Sequence, residues 1–345
     1  MKKFFTFYSK HHSIYILNIS SYQLLLSSLE FYTPTNIFGK IKYVTLLIFL
    51  NIIRFIPFLR KRILKDKNEL EDILTKLNKG LKDYKIRDNS SILISPTKEK
   101  IVINYGNGSY EKIGFFSNYQ KIKNEAKAYR YLNELNINNF VFPQISDEKD
   151  DGKKYSFKIS NNFDETKLSS NLYDGLLEFF TKSEKRQVSF YSYIEKLYED
   201  LKKNKIEIPQ VFDYLNNVKV KYSKSQVNLG FVHGDFKKAN MIFNNNKILI
   251  FDFEEALFFD IPLLDFYNYL IDPMILNQSP QKIKKYLFRT KNISLYENYL
   301  KKINEDINYE TFLSLYLIKK IIFYKVWGYE YYQRKFINLF IYINE

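Results

Sequence analysis

Short apolar runs bounded by turn formers alternate with longer segments of helical period, and this sets the first reading of the chain. Ser91–Ser95, Ile101–Tyr105 and Ser109–Phe115 predict three strands. Gly106-Asn107-Gly108 supplies a tight turn between the last two, because Asn-Gly accepts the positive φ angles such a turn needs. Ser117-x-x-Gln120 predicts a capping box at the start of a helix whose apolar stripe is Ile122, Ala126, Tyr129 and Leu132. Glu125 falls on or beside that stripe, where a carboxylate is costly unless paired. Lys112, on the third strand, is its natural partner. Val141–Ile145 and Tyr155–Ile159 predict two more strands around a turn from Asp147 to Lys154.

Beyond residue 160 the period becomes helical. Leu172–Thr181, Phe190–Leu201 and Leu263–Ile271 read as helices, the last stopped by Pro273. The remainder, to Ile343, is helical and aromatic-rich. Trp327, Tyr329, Tyr331 and Tyr332 read as core rather than as a sugar-stacking platform, because aromatic stripes at this spacing are commonly buried. Asp260 reads as a surface loop carboxylate.

Before residue 88, Ser21 is a candidate cap for a helix with Tyr22, Leu25, Leu26 and Leu29 on one face. Asp66–Leu81 reads as a charged amphipathic helix. Met1-Lys2-Lys3-Phe4-Phe5 begins as a secretory signal does, but Lys10 and His11-His12 interrupt the apolar run. Tyr43–Leu59 is the most apolar stretch; Asn51, Arg54 and Pro57 argue against a spanning helix. Arg60-Lys61-Arg62 and Lys65 follow it. The favoured reading is a helix buried on the body, with peripheral membrane contact through 43–65 as the alternative.

The chain is organised around Phe231–Ala256. A strand end leads to His233-Gly234-Asp235, then to Asn240 and a hairpin of Met241–Phe243 and Ile248–Phe251 turned by Asn244-Asn245-Asn246. Asp252 ends the second strand. Asp235, Asn240 and Asp252 suit phosphoryl transfer: one carboxylate positions the attacking hydroxyl, while an amide oxygen and a second carboxylate hold magnesium. His233 reads as a brace for the loop. Lys237 and Lys238 lie close enough in sequence to touch a phosphate, or else face solvent.

HxDxxxxN, a strand, then Asp252-Phe253-Glu254 resembles the catalytic and metal loops of the protein-kinase-like fold. His-Gly-Asp and Asp-Phe-Glu resemble its small-molecule branch, the aminoglycoside phosphotransferases and choline kinases. Pro262-Leu263-Leu264-Asp265-Phe266 is similar to that branch's next element, whose Asp buttresses the catalytic loop. The resemblance implies an α+β, bilobal fold: a small antiparallel-sheet N-lobe with one helix over 88–160 and a mostly helical, catalytic C-lobe over 161–345. A helical N-terminal extension, 1–87, precedes them. It implies ATP and Mg2+ as cofactors, with Lys112, Glu125, Asn240 and Asp252 at the nucleotide, Asn240 and Asp252 at the metal, and Asp235 as base. Lys112 corresponds to the family's phosphate-binding lysine. Ser95–Lys100 takes the place of the phosphate-covering loop without its glycines, and adenine would meet a hinge near Ile159–Asn161.

The implied activity is phosphorylation of a hydroxyl on a small polar acceptor such as a sugar, amino sugar or amino alcohol. The alternatives are a non-catalytic nucleotide-binding or membrane-docked module, or a kinase acting on a lipid-linked saccharide. Location is expected to be cytoplasmic, with the inner membrane face as the peripheral option.

Composition changes this picture little. The chain has 345 residues, enough for a large core. It has no cysteine, which excludes disulfides and thiolate chemistry. Three histidines leave little for a histidine metal site. A net charge of +15 raises nucleic acid as a partner, but no basic stretch carries the pattern of a named nucleic-acid module. A phosphate-bearing substrate ranks well above it.

Overall fold

Phe4–Tyr8 (β1) and Ile14–Asn18 (β2) pair antiparallel in the computed structural model, which describes residues 3–8, 13–29, 37–77, 90–105, 108–160, 172–244 and 247–345. These strands correct the expectation of a helical N-terminal extension. β2 goes on to pair with Ser91–Ile94 (β3), so the chain's first strands lengthen the same sheet. Helices do follow: Tyr22–Leu29 (α1), Ile37–Phe55 (α2), Pro57–Ile63 (α3) and Lys67–Leu77 (α4). Ser21 caps α1 through its Oγ, which accepts from Leu24 N at 3.1 Å. Asp66 and Glu69 cap α4 reciprocally, each carboxylate accepting the other's backbone N–H.

The sheet continues through Lys100–Asn104 (β4) and Ser109–Phe115 (β5), with the helix Ser117–Glu134 (α5) next in the chain. The expected capping box does not form. Ser117 is already helical, and its hydroxyl donates to Glu99 instead. Phe140–Val141 (β6) is a separate short strand, so the expected strand from Val141 to Ile145 is divided. Gln144–Asp150 (β7) and Lys154–Ser160 (β8) complete the sheet in the order β1-β2-β3-β4-β5-β8-β7. β7 runs to Asp150, so the turn is shorter than Asp147–Lys154. Gly106-Asn107, Asn161 and Asn245-Asn246 lie outside the described residues.

Two compact units result, the first comprising Met1–Glu134, Phe142–Thr166 and Ile250–Glu254. Its core is apolar and β-branched: Phe4, Ile16, Ile92, Ile103 and Ile113 are buried together. Such side chains contribute about 1.5–3 kcal/mol each on burial. Leu17, Ile19, Leu25, Leu29, Leu50 and Ile53 form a second cluster that fixes α1 and α2. The buried Asn104 donates its amide to Ser27 O at 2.9 Å, which ties α1 to β4.

The second unit is mostly helical. It contains Leu172–Lys182 (α6), Arg186–Ser189 (β9), Phe190–Lys203 (α7), Pro209–Lys221 (α8) and Gln226–Val232 (β10). A single turn, Lys238–Asn240, precedes Met241–Asn244 (β11) and Lys247–Ile250 (β12), whose last residue falls to the first unit. Leu257–Asp260 (β13) then leads to Leu264–Ile275 (α9), Pro280–Leu287 (α10), Thr290–Lys302 (α11), Tyr309–Val326 (α12) and Glu330–Asn344 (α13). β10 lies between β9 and β13, while β12 lies between β11 and β6.

Three expectations are corrected here. Pro273 does not stop α9, which runs to Ile275 with the proline inside it. Asp260 is buried, not on the surface. It accepts from Tyr193 Oη at 3.0 Å and pairs with Lys319 Nζ at 2.6 Å. Trp327, Tyr329 and Tyr331 are exposed, because Gly328, with φ of 70°, turns the chain at the corner between α12 and α13.

Candidate active-site clusters

In the first unit, register brings two lysines to one face of the sheet. Lys112 stands opposite Val102, and Lys100 is two residues from Val102 on the same strand. Side chains alternate along a strand, so both lysines point the same way. α5 answers Lys112 with Glu125: Lys112 Nζ donates to the two carboxylate oxygens at 2.7 and 2.9 Å. Glu125 is fully buried.

Asp252 joins this pair, its Oδ1 at 3.2 Å from Lys112 Nζ. The residue sits at φ of 69°, in the left-handed region that non-glycine residues seldom adopt. Tyr129 holds it there. The backbone N–H of Asp252 donates to Tyr129 Oη at 3.1 Å, and that hydroxyl donates to Glu125 Oε1 at 3.0 Å. One chain of contacts thus runs from Lys112 through Glu125 and Tyr129 to Asp252.

Glu254 completes the group. Lys100 Nζ donates to both of its oxygens, at 2.7 and 2.9 Å, and Lys112 Nζ stands 3.7 Å away. Glu125, Asp252 and Glu254 each offer an oxygen within 4.8 Å of the others. Within this group the carboxylates outnumber the ammonium groups by one.

The electrostatics follow from that imbalance. Burial alone would lower Lys112, but Glu125 and Asp252 overcome it and hold the ammonium well above its ordinary value. Lys100 is likewise raised, burial being outweighed by Glu254. Burial and the neighbouring Asp252 push Glu254 up to about 7, against the pull of both lysines. Burial and the adjacent Glu125 also raise the Tyr129 hydroxyl, so it stays a donor.

A second cluster lies within the second unit, at the end of β10. Gly234 has φ of 81°, and a Cβ there would stand 2.1 Å from Glu255 O. Glycine is required both by the backbone and by the close approach. Asp265 accepts the backbone N–H groups of His233 and Gly234 at 2.7 and 3.0 Å. Burial raises this carboxyl, while His233 and the two backbone donors oppose the shift. His233 is fully buried, and its Nδ1 accepts from Asp235 N at 3.3 Å.

Asp235 is held from two sides. Asn240 donates its amide to Asp235 O at 2.9 Å and to Oδ2 at 3.1 Å. Lys237 Nζ is 2.7 Å from the same Oδ2. Lys237 therefore faces the carboxylate, which the sequence left open. One turn along α9 from Asp265, Asn268 donates to Gly234 O at 2.7 Å and accepts from Tyr316 Oη at 3.2 Å.

The predicted residues thus gather in two groups: Lys112, Glu125 and Asp252 in the first unit; His233, Asp235, Asn240 and Asp265 in the second. Sequence reasoning missed Lys100, Glu254, Tyr129 as a polar bridge, and Asn268. Only Asn268 left a signal, its three-residue spacing from Asp265 on one helix face.

Residues 175–283 match the family model described as APH, phosphotransferase enzyme family. The resemblance read from His233-Gly234-Asp235, Asp252-Phe253-Glu254 and the Pro262–Phe266 element is borne out over that span, which contains all three. No curated protein matches the chain. Among solved structures, the chain is similar to a thermostable mutant of the aminoglycoside phosphotransferase APH(4)-Ia in complex with ADP and hygromycin B. That likeness has 13% identity and a TM-score of 0.47, covering 80% of this chain and 97% of the other. A choline/ethanolamine kinase family protein from Mesorhizobium loti gives 11% and 0.46, covering 81% and 94%. The GDP complex of an aminoglycoside 2'-phosphotransferase-IIIa mutant gives 13% and 0.45, covering 81% and 97%.

Proposed function

We propose, with the phosphotransferase match over residues 175–283 as premise, that the chain is a kinase-like enzyme. It moves the terminal phosphate of ATP to a hydroxyl on a small polar acceptor: a sugar, amino sugar or amino alcohol. The observation that carries this reading is Asp252. A structural ion pair needs only Lys112 and Glu125. The third member, presented on a strained backbone with about a third of its side chain exposed, stands where a ligand can reach it.

In this reading Lys112 meets the phosphates, and Glu125 fixes the direction of its ammonium. A divalent cation suits the carboxylate oxygens gathered around Asp252, which are the hard donors magnesium takes. Asp252 would hold it, and the sequence motif offers Asn240 as a second candidate ligand. Asn240 already gives its amide N–H groups to Asp235, so its carbonyl oxygen is the atom it would offer. The cation would supply neutralisation of phosphate charge.

Asp235 orients the acceptor hydroxyl and takes its proton late, as the loose transition state collapses. Asn240 and Lys237 hold that carboxylate to one orientation. Asp265, His233 and Asn268 hold the loop beneath it.

The test is ADP release from ATP and magnesium across a panel of sugars, amino alcohols and aminoglycosides, with Asp235→Asn as control. Acceptor-dependent release that the control loses supports the reading. If no acceptor stimulates release and ATP with magnesium does not raise the melting temperature, the enzyme assignment fails. Nucleotide stabilisation without release on any acceptor would favour the non-catalytic nucleotide-binding module.

A further inference from the structure

The helix α2 has two apolar faces, and the fold uses one. Leu50 and Ile53 are buried against Leu17, Ile19, Leu25 and Leu29. On the other side, Ile41, Val44, Ile48, Ile52 and Phe55 recur at intervals of three and four residues, and all are exposed. Phe55 is 76% exposed, and Phe58, on α3, is 69% exposed. An apolar stripe of this length on the surface needs an occupant. The sequence had favoured burial of Tyr43–Leu59; of that span the structure buries only Leu50 and Ile53.

By length and composition α2 and α3 together are apolar enough for a span, but only as a bent pair. Among the described residues, no single helix is long and apolar enough to span a membrane. α2 and α3 meet at 111°, with Pro57 opening the second helix. A pair so bent lies along a surface more readily than through it.

The charges identify the surface. No acidic residue stands between Glu30 and Asp66. Lys42, Lys61 and Arg62 are exposed, and Arg54 lies over the Phe55 ring at 5.5 Å. An apolar stripe edged by cations and free of carboxylates complements an anionic lipid surface: rings and aliphatic groups enter the acyl boundary while ammonium and guanidinium groups meet the headgroups. A second copy of the chain fits less well. A two-fold interface would set the same cationic edge against itself.

We infer that α2 and α3 form an in-plane docking element that seats this protein on an anionic bilayer. The inference does not depend on the phosphotransfer reading, since none of these residues belongs to either cluster.

Sedimentation of the full chain with vesicles tests it. Binding is expected to vesicles of mixed phosphatidylglycerol and phosphatidylcholine, and to be at least about tenfold weaker on phosphatidylcholine alone. Lys61→Gln with Arg62→Gln should weaken the anionic binding by about thirtyfold, at roughly a fivefold loss per charge. Phe55→Ser with Phe58→Ser should abolish it without lowering the melting temperature, because both rings are exposed. A chain that stays in the supernatant with anionic vesicles overturns the inference, as does a serine pair that sediments as well as the parent. Self-association abolished by the serine pair, with no vesicle binding, would assign the stripe to a second copy instead.

Discussion

Tyr129 receives the backbone N–H of Asp252 at 3.1 Å, across 123 positions of sequence. The same hydroxyl donates to Glu125, so removing it loosens both neighbours at once. Tyr129→Phe leaves the N–H of Asp252 without this acceptor and is expected to cost about 1–3 kcal/mol. Urea melts measure the loss. ATP affinity should fall with it, because Asp252 loses the contact that holds its strained backbone.

Lys112→Met strands the fully buried Glu125, and breaking such a pair costs about 3–5 kcal/mol. The double variant Lys112→Met with Glu125→Leu should recover much of that stability yet remain unable to turn over. Recovery of turnover along with stability would show that the pair is purely structural.

Asp235→Ala should lower kcat by about a hundred- to ten-thousand-fold while ATP binding changes little. Single-turnover kinetics and nucleotide titration separate the two effects. A large loss of ATP affinity would move Asp235 from proton transfer to the nucleotide.

Much of this was legible from residue spacing. Helix period puts Glu125 on or beside the buried face, and a buried carboxylate demands a cation, so Lys112 could be named as its partner before the structure showed the contact. Tyr129 was harder: helical period places its ring in the core but says nothing of where its hydroxyl ends. Lys100 and Glu254 are 154 positions apart, and neither is costly by itself, so nothing in the sequence linked them. Asp260 looked like a loop carboxylate because its partners, Tyr193 and Lys319, come from distant helices. The first two strands were hidden for the same reason, since they exist by pairing with each other and with β3.

Gly234→Ala places a methyl group where Glu255 O stands 2.1 Å away, on a backbone angle that L residues rarely adopt. The conformation alone costs about 1–3 kcal/mol, and the clash adds to it. Loss of soluble protein, or a melting temperature well below the parent's, is the expected result. A variant as stable and active as the parent would show that the loop relaxes freely.

Glu254 predicts a pH dependence of stability in protein stripped of divalent cations. Its value rises on folding from the usual 4.5 to about 7, so between those limits the folded chain holds a proton that the unfolded chain releases. The stabilisation is fully present below pH 4.5 and is lost as pH rises through 7, by at most about 3 kcal/mol. Denaturant melts at pH 5 and pH 8 with chelator present should show the decline, and Glu254→Gln should flatten it.

The pairing of β2 with β3 bears on how this protein can be shortened. A fragment starting at residue 88 would leave one flank of β3 with bare N–H and C=O groups beside isoleucines, a template for strand addition between molecules. The opening residues therefore serve as a guard strip, and their removal should yield aggregates rather than a minimal domain.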